Sequence, residues 1–146
     1  MSWNEKVIRA VAHRARSRSS SVAGRSSKGF GLSLDGFCAF GAVFLFDALR
    51  KKGLAPKLAV AEDDDDSGHC FVLCEGHVVD VTATQFGKEA VEIVPVAQVS
   101  ESEWFWAPQR LFSATTDFVD FLDKAGWPKY QIPYSYARQN SMELAA

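Results

Sequence analysis

The 146-residue chain carries 16 Lys/Arg and 18 Asp/Glu, a net charge of −2, and 47% of it is apolar. That suffices for one domain with a real core and not for two, and no apolar run approaches the about 20 residues a membrane-spanning helix needs. Three cysteines, two of them close together at Cys70 and Cys74, argue against a disulfide scaffold and for reduced thiols.

Charge is segregated along the chain. Residues 1–28 hold seven Lys/Arg and one acid, so the rest holds nine bases and seventeen acids. Trp3, Val7, Ile8, Val11 and Ala15 recur at helical spacing and predict a short helix over 3–15 that packs through Trp3 and Val7. Ser17 to Gly31, rich in Ser, Gly and Arg, reads as a linker. Residues 1–28 are therefore expected to form a basic, solvated arm, with folding over a cleft as a self-inhibitory alternative. No aromatic residue interleaves the arginines from Arg14 to Arg25, so contact with nucleic acid is not expected. The start of the chain lacks the apolar stretch of a secretory signal. Its Arg/Ser-rich character loosely resembles a transit peptide. The expected location is the cytoplasm of the cell that makes the chain, with delivery into a target cell as the alternative.

Asp35-Gly36 supplies a tight turn into a helix from Cys38 to Lys52, closed by Gly53 after three basic residues that suit the helix dipole. Leu58 to Ala61 is a short strand candidate, followed by a charged loop through Asp63 to Asp66. His69 to Cys74 and His77 to Thr82 flank Glu75-Gly76 as a β-hairpin. Ala90 to Val96 predicts another strand, and Thr115 or Thr116 caps a helix over 117–124 that Gly126 ends. Residues 29–136 read as one α+β domain, with 137–146 as a C-terminal tail.

Three residues carry chemistry in this pattern. A thiol attacks as the thiolate, and its pKa falls at a helix N-terminus or beside an imidazolium. Cys38 stands at the helix start, where Gly36 leaves the sulfur uncovered. With the turn centred on Glu75-Gly76, alternation puts His69, Phe71 and Leu73 on one face with Val78, Asp80 and Thr82. His69 and Asp80 are then diagonal neighbours, so the carboxylate can orient the imidazole towards a thiol.

The order Cys38, His69, Asp80, with the run Asp80-Val-Thr-Ala-Thr-Gln85-Phe86, resembles the papain-like and transglutaminase-like superfamily. It is most similar to the dermonecrotic-toxin-type glutamine deamidases and papain-fold toxins. The resemblance covers roughly residues 30–90. It implies a papain-like core in which a helix bears the nucleophile and packs on an antiparallel sheet whose hairpin carries His and Asp. It further implies a cofactor-free thiol hydrolase, an effector or toxin acting on a protein or peptide. Cys38 would be the nucleophile, His69 the base and acid, Asp80 the orienter and Gln85 an oxyanion-hole donor. Papain itself has a glutamine just before its cysteine, and Gly31, Leu32 and Ser33 supply none. Asp65 and Asp66 are expected to line the cleft and favour basic substrates, with Gly36 and Phe71 as further substrate contacts. Deamidation, proteolysis and transglutamination share these residues, and a catalytically idle binding or inhibitor protein is the non-enzymatic alternative.

Zinc is not expected. Cys70 lies four strand residues from Cys74 and His77, about 13 Å, too far to share one metal. Cys70 and Cys74 are expected on the sheet face opposite the triad. Asp63 to Asp66 lacks the alternate liganding of a calcium loop. Trp104, Phe105 and Trp106 are read as core.

Overall fold

Helix α1 runs from Trp3 to Arg25 and α2 from Cys38 to Lys51, before β1 at Lys57–Glu62 and β2 at Gly68–Cys74. Strands β3 at His77–Asp80, β4 at Glu92–Pro95 and β5 at Arg110–Phe112 complete the sheet, and α3 spans Thr115–Lys124. The computed structural model describes residues 3–25, 37–62, 68–82, 91–98 and 110–136. The strands form one antiparallel sheet in the order β4-β3-β2-β1-β5, with helices packed on it: an α+β fold.

Glu75 and Gly76 both take positive φ, 51° and 74°, as a two-residue hairpin turn of the twist-matched kind requires. That turn sets the pairs Cys74–His77, Leu73–Val78 and Val72–Val79. Alternation then divides the sheet. Leu58, Val60, Cys70, Val72, Cys74, Val79 and Val81 join the main core beneath the helices, whereas Ala59, Ala61, Phe71 and Val78 form a second cluster.

Helix α2 has Phe, Leu, Val and Ala nearly all round, and nine of its 14 residues are buried. It ends as its sequence predicts, with Gly53 at φ 83° and the Leu54 N–H returning to the Leu49 carbonyl. Helix α3 begins at Thr115, two residues before the expected 117, with Ala114 as its N-cap and no side-chain capping bond. Strand β5, three residues long, was not anticipated. Trp104, Phe105, Trp106 and the tail 137–146 lie outside the described residues.

The N-terminal segment departs most from expectation. Helix α1 is 23 residues long and continues through the Ser/Arg run that reads as linker. Ile8, Val11, Ala12, Ala15 and Ser19 form its buried stripe, and the first four belong to the main core. The spacing is that of one helix face. Ser19 continues the stripe as a small residue whose hydroxyl donates to the Ala15 carbonyl at 2.8 Å, so its polarity is satisfied within the helix. Of the run that looks like a solvated tail, Arg14, Ser17 and Arg18 are exposed on a packed helix, whereas Arg16 and Ser19 are not. Among the described residues no helix is long and apolar enough to cross a membrane.

Candidate active site

The β2–β3 ladder stops at Val72–Val79. Beyond it, the first turn of α2 touches the ends of both strands. A Cβ on Gly41 would lie 2.8 Å from Thr82 Cγ2 and 3.0 Å from Val81 Cγ2, so only glycine lets the helix come this close to β3. On the β2 side, Cys38 meets Cys70 and His69.

Cys38 occupies the first position of α2. The preceding Phe37 offers no side-chain cap, and the first turn holds no acid, so among the described residues no capping or first-turn side chain neutralises the positive helix end. His69 Nε2 is hydrogen-bonded to Asp80 Oδ2. The imidazole also interacts with Cys38, by hydrogen bond and by charge. The second oxygen of Asp80 accepts from the Thr82 N–H at 2.8 Å and from the Thr82 hydroxyl at 3.2 Å. Phe71 stacks on His69 at 6.0 Å between ring centroids and 27° between planes. Cys38, His69 and Asp80 are thus brought together in one chain of contacts, all three buried at 4%, 1% and 1% exposure.

The electrostatics separate the thiols. Cys38 is lowered to about 5: the Cys70 thiol hydrogen-bonded to its sulfur is the largest cause, burial opposes it, and the bond and charge of His69 add to it. Burial works against a charged His69, but the charge and hydrogen bond of Asp80, with Cys38 behind them, raise it to about 9. Cys70 is pushed well above the ordinary thiol range by burial and by donating to Cys38. Cys74 is raised to about 11 by burial and by Glu75. Both shifts act in one direction, favouring a Cys38 thiolate beside a His69 imidazolium at neutral pH.

Some expected site residues are placed differently. Phe71, expected to meet substrate, is 1% exposed in the second cluster and backs the imidazole instead. Cys70, expected to face away from the triad, packs on the helix side of the sheet and donates to Cys38; only Cys74 stands apart from it. Alternation puts Cys70 opposite His69 correctly, but α2 enters from that same side and brings Cys38 with it. Gly36, Asp65, Asp66 and Gln85 lie outside the described residues.

A polar cleft of about 630 Å³ opens along the helix side of the sheet, lined by Glu62, Gly68, Arg110, Trp127 and Gln131 among others. Gly68 is paired with Glu62 and lies next to His69. A Cβ there would sit 2.6 Å from Trp127 Cζ2, so the indole rests directly on the glycine backbone. Cys38, His69 and Asp80 are not among the described residues that line this cleft. Among the described residues, no group of three or more His, Cys, Asp or Glu converges to hold a metal ion.

Compared with family models, with curated proteins and with solved structures, the chain finds no match.

Proposed function

We propose that this protein is a thiol-dependent amide hydrolase of papain-like type, acting on side-chain carboxamides of a protein or peptide in the manner of a glutamine deamidase. The observation that carries the reading is the contact chain Cys38–His69–Asp80, with Cys38 lowered to about 5 beside a His69 raised to about 9.

The Cys38 thiolate adds to the amide carbonyl carbon, forming a C–S bond and moving an electron pair onto oxygen. Collapse of that oxyanion breaks the C–N bond as His69 gives its proton to the departing nitrogen, which leaves as ammonia. Water then attacks the thioester as His69 takes its proton, and the C–S bond breaks with its electron pair on sulfur, releasing the acid and restoring the Cys38 thiolate beside a protonated His69. Asp80 keeps the ring aimed at sulfur throughout. Substrate is assigned to the cleft beside Gly68 and Trp127.

A cysteine peptidase would use the same residues with a backbone amine as leaving group. A second reading, an idle binding or inhibitor protein, draws on the burial of the three residues. Intact-mass measurement of glutamine-bearing proteins incubated with the wild-type chain and with Cys38→Ser tests all three. Exchange of –NH2 for –OH with ammonia release, lost in Cys38→Ser, is the expected result. Chain cleavage lost in the same variant would favour the peptidase. No turnover and no acyl adduct on Cys38 would favour the binding protein.

A further inference from the structure

Helix α1 packs on α2, and two of its side chains reach β3, one at each end of the strand. Near the helix start, Glu5 Oε1 is 3.9 Å from His77 Nε2 at the first residue of β3. Eleven residues later, Arg16 Nη1 donates to the Val81 carbonyl at 2.8 Å, just past the last residue of β3. The lengths agree: eleven helical residues advance roughly 16 Å and four strand residues roughly 13 Å. The Arg16 guanidinium is half-buried, and the negative charge of Asp80 acts on it. Val81 lies between Asp80 and Thr82, the residue whose N–H and hydroxyl hold Asp80 Oδ1. Arg16 therefore grips the middle of the turn that aims the carboxylate at His69.

The charges complete the picture. Cys38 and Asp80 are two negative groups, and His69 is one positive group between them. Three charges in a buried site would leave an excess anion, which is costly without compensation. Arg16 is the cation that α1 brings to the other side of Asp80. Among the described residues, the other groups that act on the two thiols are Cys70 itself on β2 and Glu62 on β1.

We infer that Arg16 is a positioning residue for the proposed reaction, pinning the Asp80–Thr82 turn and balancing the carboxylate so that the Cys38–His69 pair stays charged. It makes the basic N-terminal helix part of the active site, and it rests on the amide-hydrolase reading. Removing the cation leaves the buried set one charge short, and the proton it takes up goes to Cys38. The loosened turn acts in the same direction, because a misplaced Asp80 no longer holds the imidazolium.

The test is ultraviolet thiolate absorbance against pH, each chain taken as the difference from its own Cys38→Ser counterpart, so that substrate access does not enter. Wild type, Arg16→Gln, Arg16→Met and Arg16→Lys are compared full-length, with Tm measured alongside. The neutral variants are expected to fold and to raise the Cys38 midpoint by about one pH unit or more, a tenfold loss of thiolate on the acid side. Arg16→Lys is expected to recover most of the shift. An unchanged midpoint in a folded neutral variant, or a Lys variant shifted as far as the neutral ones, overturns the inference. So does failure of both neutral variants to fold, which would assign Arg16 to stability alone. A wild-type chain with no Cys38 thiolate below neutrality defeats the hydrolase reading itself, and the inference with it; a low wild-type midpoint with insensitive variants defeats only the inference.

Discussion

At the scale of single residues, the site separates three chemically identical thiols by their neighbours. Cys38 has a helix N-terminus, an S–H donor and an imidazolium; Cys74 has burial and a nearby acid. In the proposed reaction the pair of Cys38 and His69 works only when the thiol has lost its proton and the imidazole has kept one. Below about 5 the thiol takes up a proton, and above about 9 the imidazole loses its own. Activity is therefore expected to be bell-shaped between these limits, read as kcat/KM against pH, the two limbs belonging to the coupled pair. Asp80→Asn keeps the shape but not the charge and is expected to lower kcat by about a hundredfold or more. Cys70→Ala removes the largest stabiliser of the thiolate. It should shift the acid limb upward while leaving the fold intact, and an unmoved limb would count against Cys70 as donor. Asp80 was legible in the sequence because a carboxylate within a β-rich run needs a partner. Cys70 was not, because its contact with Cys38 is made by packing between helix and sheet, which no local pattern encodes.

At the scale of elements, two glycines fix how closely the parts approach. Gly41 lets the first turn of α2 reach β3, and Gly68 lets Trp127 lie on β2. Gly41→Ala places a methyl against Thr82 and Val81, side chains in the buried region beside the triad. It is expected to cost about 1–3 kcal/mol by denaturant unfolding and to slow Cys38 alkylation, because the helix must back away from His69. Gly68→Ala pushes the indole, so a shift of Trp fluorescence with altered KM and little change in kcat is the expected signature of a cleft residue. The hairpin was readable to the residue, since a two-residue turn and period-two alternation together fix the register. Helix α1 was readable only to Ala15, because its apolar stripe passes there to Ser19, a residue that pattern reading takes for linker. Strand β5 adds only Arg110, Leu111 and Phe112, too short to show alternation.

For the whole molecule, the consequence is that residues 3–25 are structure. Ile8 and Val11 are 0% and 2% exposed. Burying two such side chains contributes about 3–6 kcal/mol, a large share of the about 5–15 kcal/mol that holds a typical domain together. A chain lacking residues 1–25 is expected to lose cooperative thermal unfolding and bind hydrophobic dyes. A truncated protein that folds and turns over substrate faster would show instead a self-inhibitory arm. Lys6, Arg9, Arg14 and Arg18 are exposed, whereas Arg16 turns inward to the end of β3 that holds Asp80. How α2 and the hairpin come together could not be derived from periodicity; it depends on Gly41 and on the side of the sheet that the helices choose.

The central claim is that Cys38 alone is an activated thiol. Iodoacetamide labelling at about pH 6, followed by peptide mass analysis, tests it most directly, because at that pH an ordinary thiol is almost wholly protonated. Cys38 is expected to be modified far faster than Cys70 or Cys74, with a rate that falls as pH drops through about 5. Equal and slow labelling of all three cysteines would contradict it.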